Sequence, residues 1–143
     1  MTLDPTIWGP HYWFFLHTIT LCYPLRPNTV TKKRYYDFIH NFHLLLPIEA
    51  ISTHFSKLII EYPVTPYLDS RDSFIRWMHF IHNKINKKLE KPQVSLDQFY
   101  KGYYENYKPR NVQLGEYYKI QGKIVYFLIL LAAISAIYYL YHL

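Results

Sequence analysis

Along the first hundred residues, apolar side chains return at helical spacing in four separate stretches. Tyr35, Phe38, Ile39, Phe42 and Leu45 follow one face of a helix, and this predicts a helix from about Thr31 to Leu45. An earlier helix is predicted from about Pro10 to Cys22. Tyr23-Pro24 stops it, because proline disfavours helical backbone in the residue before it. "LRPNTVTKKR" reads as the loop between these two. A third helix is predicted to begin at Pro47, a residue suited to a first helical turn, and to run through "EAISTHFSKLIIEY". After the loop "PVTPYLDSRDS", with Asp69 or Ser70 as cap, a fourth helix runs from about Arg71 to Leu89, and Pro92 closes it. "SLDQFYKGYYENY" suggests a short fifth helix. No alternating pattern persists long enough to predict a strand. The expected fold class is all-α: a compact antiparallel bundle of four to five helices, followed by a transmembrane helix.

That last helix is "IVYFLILLAAISAIYYLY", Ile124 to Tyr141, without a single charge. Its length suits a helical crossing of a hydrocarbon core. Lys119 and Lys123 precede it, and Tyr138, Tyr139 and Tyr141 sit at its far end, where an aromatic belt belongs. A buried core helix is the alternative, but such helices keep a polar stripe. The expected organisation is a helical domain over residues 1–105, a polar linker over 106–123 and a membrane tail anchor over 124–141. The domain is expected on the lysine-rich, cytosolic side. "MTLDPTIWGP" lacks the basic start and apolar block of a signal peptide.

Composition adjusts this picture in three places. The net charge of +6 and pI near 9.3 suit an anionic partner, whether a nucleotide, a phospholipid surface or nucleic acid, and equally suit a generic basic surface. "TKKR" and "NKKLEK" are short charge runs that read as solvated faces, so no nucleic-acid partner is expected. Cys22 is the only cysteine. It excludes an internal disulfide and a four-thiolate zinc site, and in its apolar run it is expected to be a buried, inert thiol. His40/His43 and His79/His82 are HxxH pairs, but no carboxylate stands at a third-ligand spacing, so no metal is expected.

The remaining chemistry lies on the helices. Trp13 and His17 are four apart and share a face, with Trp8 and Gly9 just before them. Ile48, Ile51 and His54 form a row at spacing three. His79, His82, Asn83 and Asn86 line one side of the fourth helix, with Trp77 nearby and Lys88 and Lys91 at its end. Rings that stack, amides and imidazoles that bond edges, and lysines that hold phosphate would together suit a large planar ligand. The same residues also fit core aromatics and ordinary helix-face histidines. Both readings stay open on spacing alone.

Three segments in order carry a resemblance. "WGPHYWFFLHTITLCYP" resembles the opening of the Erv/ALR family of FAD-linked sulfhydryl oxidases, with its WG…W-x-x-L-H…Y-P pattern. "HNKINKKLEKP" is similar to that family's H-N-x-V-N-x-x-L-x-K segment. "LPIEAISTHF" matches its P-C-x-x-C-x-x-H-F except that Ile48 and Ile51 stand at the two cysteine positions. A short, virus-type, tail-anchored member is the nearest kind.

The resemblance implies a helical bundle that holds FAD non-covalently, often as a homodimer. In such proteins a CxxC pair takes electrons from substrate thiols and passes them through FAD to oxygen, which leaves as hydrogen peroxide. By motif position, Gly9, Trp13, His17, Tyr23, His54, His82, Asn83, Asn86, Leu89 and Lys91 would bind FAD, with Trp77 and Tyr100 added. Isoleucine cannot ionise or form a disulfide, so this chain has no intact catalytic pair. Its expected partners are FAD, membrane lipid, and either protein thiol substrates or an active redox relative. The expected membrane is an intracellular or virion one. The alternative reading is a non-enzymatic, membrane-anchored FAD-binding or partner-binding module.

Overall fold

A computed structural model describes residues 3–142. Among them there is no strand, and six helices account for most of the chain: α1 Pro5–Leu21, α2 Thr29–Phe42, α3 Glu49–Glu61, α4 Arg71–Lys88, α5 Leu96–Glu105 and α6 Arg110–Tyr141. Short 3-10 turns follow α2 at His43–Leu45 and precede α4 at Thr65–Tyr67. The chain divides into two compact units, one ending at Lys101 and the other starting at Gly102, inside α5.

In the first unit the core forms where the apolar stripes of α1 to α4 meet. Leu16, Ile39, Phe42, Phe55, Ile59, Phe74, Trp77, Met78 and Ile81 are buried there. Tyr23 fastens the end of α1 to this core. It is fully buried, its hydroxyl donates to the Leu68 carbonyl at 2.8 Å, and its own carbonyl accepts from the Arg71 guanidinium. Its ring meets those of Tyr35 and Phe74 edge to face. Burial, then the neighbouring Tyr35 and Asp69, raise the pKa of this phenol, so it stays a donor.

Helix ends differ from the sequence expectations in physically informative ways. α1 starts at Pro5 and not at Pro10, because Asp4 caps it by accepting from the Thr6 N–H at 2.8 Å. Pro10 lies inside the helix. α2 starts at Thr29, two residues early, under an Asn28 cap on Thr31. α3 starts at Glu49, not Pro47, and Ile48 is its N-cap residue in extended conformation. Ser70, rather than Asp69, caps α4. The stretch expected to link domain and anchor is helical from Arg110 onward and runs unbroken into the apolar segment. Cys22 is exposed, which corrects the expectation of a buried thiol: it stands at the C-cap of α1, where the buried face of the helix has ended.

Candidate functional site

α1 and α4 pack side by side and bring three of the predicted site residues into one cluster. Trp13 and His17 project from consecutive turns of α1, and His82 projects from the middle of α4. The His82 imidazole lies flat on the Trp13 ring, with centroids 3.9 Å apart and planes 8° from parallel. His17 Nε2 and His82 Nδ1 are 2.9 Å apart and share one proton. Phe99 of α5 closes the far side of His17 at 4.3 Å. His17 is 3 % exposed, and its pKa falls to about 3, first through burial and then through His82 and His79. His82 falls to about 4 through burial, then His79 and Lys91. Both rings are therefore neutral at pH 7, and each offers one donor and one acceptor.

That single shared proton leaves a remainder. His17 Nδ1 is buried and has no hydrogen-bond partner among the described residues. His54 Nε2 on α3 is in the same condition. On the other side of the His54 ring, Nδ1 faces the Lys88 ammonium at 3.4 Å. An ammonium only donates, so Nδ1 accepts and the ring proton belongs on Nε2. His54 thus aims a buried N–H at no acceptor among the described residues. Burial, then Lys88 and Lys57, hold its pKa below the usual value, which keeps the ring neutral. Buried polar atoms without partners cost ~1–3 kcal/mol each, and two in one small domain call for a ligand or ordered water at these positions.

The other predicted residues divide by what they touch. Gly9 is half-buried, and a Cβ there would meet nothing within 4 Å, so the protein's own packing does not require glycine. Asn86 is buried on α4, and its carbonyl accepts from the Lys91 N–H at 2.9 Å, which turns the chain back after the helix. Leu89 caps α4 and is exposed, Glu90 takes the left-handed φ of 55° that ends the helix, and Lys91 is exposed. Asn83 spends its amide on the backbone of Val94, donating to the carbonyl at 2.8 Å and accepting the N–H at 3.0 Å. His79 Nε2 also donates to that carbonyl, at 2.8 Å. Tyr23 and Trp77 are core residues, with the Trp77 indole N–H given to the Tyr62 carbonyl at 3.0 Å. Tyr100 lies half-buried on α5 beside Phe99. Phe99 and Val94 were not singled out from sequence. Their signal was weak: one of several apolar residues on a short helix, and a backbone group in a segment without regular structure.

Ile48 and Ile51 stand at the start of α3, both half-buried. The Ile51 N–H bonds the Ile48 carbonyl at 3.1 Å in the first turn, on the same helix as His54. Among the described residues no group of three or more histidine, cysteine, aspartate or glutamate side chains converges as a metal cage would require.

A neutral, partly unsatisfied imidazole cluster thus lies between the first and fourth helices of a small all-α domain. The Erv1/Alr family model matches residues 10–105 of this chain. A probable FAD-linked sulfhydryl oxidase of Acanthamoeba polyphaga mimivirus is 30% identical over 97 residues, covering 67% of this chain and 68% of the relative. The mitochondrial FAD-linked sulfhydryl oxidase ERV1 of Saccharomyces cerevisiae is 34% identical over 89 residues, and the match spans under half of that protein, 46%. The crystal structure of the FAD-binding domain of Erv1 from Saccharomyces cerevisiae superposes with a TM-score of 0.65 at 31% identity, covering 72% of this chain and 96% of that one. The chain belongs to the Erv1/Alr family of FAD-linked sulfhydryl oxidases.

Proposed function

We propose that this chain holds FAD against α1, α3 and α4 and, in its present sequence, does not oxidise dithiols itself. The observation that carries the flavin assignment is the pair of buried, unpartnered ring nitrogens, His17 Nδ1 and His54 Nε2, which an edge-bonding planar ligand would satisfy. The residues present fit such a group. Trp13, His17 and His82 offer stacking faces and edge atoms, Gly9 leaves open space beside α1, and Asn86, Leu89 and Lys91 border the end of α4. Asn83 contributes indirectly by fixing residue 94 against that face, and Tyr23 and Trp77 by setting the helices that carry it. Tyr100 would approach from α5. When bound, FAD would supply two-electron redox chemistry between thiols and oxygen.

What this chain's residues do is bind, orient and exclude water. The thiol step is different. A dithiol gives up two electrons and two protons as its disulfide forms, and in thiol–disulfide exchange the acceptor on the protein is itself a disulfide. Ile48 and Ile51 occupy the positions we assign to that pair, and Cys22 is the only thiol in the chain. The molecule then acts as a membrane-anchored flavin-binding partner, through residues 124–141, for an active relative or for proteins undergoing thiol oxidation. The corresponding domain limits are 1–105 for the flavin domain and 106–123 for the connection. A second copy of the chain is the further partner, and the domain lies on the cytosolic side of an intracellular or virion membrane.

An absorption spectrum of the purified full-length protein, in detergent and after extensive dialysis, tests this. Flavin bands near one per chain, with no peroxide released from a dithiol substrate, are expected. A colourless folded protein that takes up no added FAD would remove the cofactor assignment. Peroxide release above that of free flavin would remove the assignment of Ile48 and Ile51.

A further inference from the structure

α6 is one unbroken helix over 32 residues, and no residue of it is buried. Continuity changes where a bilayer can meet it. From Tyr118 to Tyr138 is 20 residues, or about 30 Å of helix at ~1.5 Å per residue, which equals the thickness of a hydrocarbon core. From Ile124 to Tyr141 is 17 residues, about 26 Å, and an embedded segment that starts at Ile124 leaves the Tyr117 and Tyr118 phenols outside the near interface. Tyr117 and Tyr118 are 55% and 64% exposed, as an aromatic belt requires.

Starting the embedded segment at Tyr117 places several polar side chains below the surface, and each has an outlet. The Gln121 amide donates to the Tyr117 hydroxyl at 2.5 Å, one turn back. The Ser135 hydroxyl donates to the Leu131 carbonyl at 2.9 Å. Internal bonding of this kind is what a bilayer demands. Lys119 and Lys123 precede the apolar run, and helical side chains lean toward the N-terminus, so both ammonium groups can reach back to the near headgroups. Glu116 is the one carboxylate between Arg110 and Tyr141. It is taken by Lys108, which holds Glu116 at 3.0 Å and Glu105 at 3.0 Å across the Pro109 corner. The Gln113 amide donates to the Lys108 carbonyl at 2.9 Å and tightens the same corner. The only carboxylate of α6 is therefore already paired at this corner.

We propose that the bilayer meets α6 at Tyr117 and Tyr118 rather than at Ile124, and that these phenols with Lys119 and Lys123 form a collar for an anionic phospholipid headgroup layer. This rests on the reading of α6 as a membrane anchor. The test is spin-label accessibility in the full-length chain, reconstituted in mixed phosphatidylcholine and phosphatidylserine vesicles. Labels go on Val112→Cys, Ile120→Cys, Ile124→Cys and Leu131→Cys, each in a Cys22→Ser background. The expected profile has Val112→Cys open to a water-soluble nickel complex, and the other three shielded from nickel but open to oxygen. Nickel access at Ile120→Cys with shielding at Ile124→Cys would overturn the proposal and leave the anchor intact. Nickel access at Leu131→Cys would overturn the anchor itself. In the Lys119→Gln/Lys123→Gln double variant, the preference for spin-labelled phosphatidylserine over phosphatidylcholine should fall about fivefold per lysine. An unchanged preference would overturn the headgroup collar.

Discussion

His17 and His82 titrate far below an ordinary imidazole, at about 3 and about 4, chiefly because both are buried. In the unfolded chain they titrate near 6.5. Above that value neither state carries the proton and the neutral pair contributes fully to stability. As pH falls from 6.5 toward 4, the unfolded chain takes up protons that the folded one refuses, so stability is lost over this window. The urea midpoint of the flavin-free protein should decline steadily across this range, and a flat midpoint would contradict the burial of the pair. His17→Leu removes the more strongly shifted group and should flatten that decline. It also removes the buried unpartnered nitrogen, so the variant should fold while its flavin affinity drops about tenfold, the worth of one such hydrogen bond. Fluorescence titration with FAD would read that loss, and unchanged affinity would place the ligand elsewhere. Cys22→Ser, at an exposed helix end, should shift stability by less than about 0.5 kcal/mol and leave flavin binding unaltered.

Among the elements, α4 carries the largest share of the site and has well-marked ends. Ser70 accepts from the Ser73 N–H at 3.1 Å and shares a proton with its hydroxyl at 2.8 Å. Ser70→Ala should cost about 1 kcal/mol, which lowers the melting temperature of a domain of this size by roughly 4–8 °C. Ser70→Asp should restore most of it, and calorimetry would show both. The same ends made α4 legible in sequence: a serine cap, Lys87 and Lys88 in the last turn, and Pro92 beyond. α1 was less legible, since Pro10 resembles a helix start while the cap, Asp4, stands four residues before Trp8. The helical character of residues 110–123 was hidden by polar composition and by Gly115 and Gly122, which weaken local propensity. Within the site, the Trp13–His17 face followed from spacing, and the match with His82 followed from the motif. Phe99 and Val94 did not, because they reach the cluster through tertiary contact, and the commitment of Asn83 to Val94 is invisible until the chain has turned back past Pro92.

For the molecule as a whole, the function proposed above keeps the flavin-binding half of a sulfhydryl oxidase and lacks the thiol-oxidising half. The separation is tested by adding back the second. Ile48 is the N-cap of α3 in extended backbone, at φ −124° and ψ 118°, and Ile51 follows in the first turn. Peptide N–H groups at that end favour an anion, so a thiol there would ionise readily. Cysteine is smaller than isoleucine, and both positions are only half-buried, so Ile48→Cys/Ile51→Cys should fold at a cost of roughly 1–3 kcal/mol. With flavin bound, the double variant should release peroxide from a dithiol substrate. Each single variant should stay silent, since one thiol can form a mixed disulfide but cannot close its own. Per turnover, one substrate disulfide should appear for each oxygen reduced to peroxide. If the double variant binds flavin and forms its disulfide but still releases no peroxide, α3 does not present positions 48 and 51 to the ring. The assignment of Ile48 and Ile51 to the reactive positions would then fall, and restoring thiols there would not be enough to make this chain an oxidase.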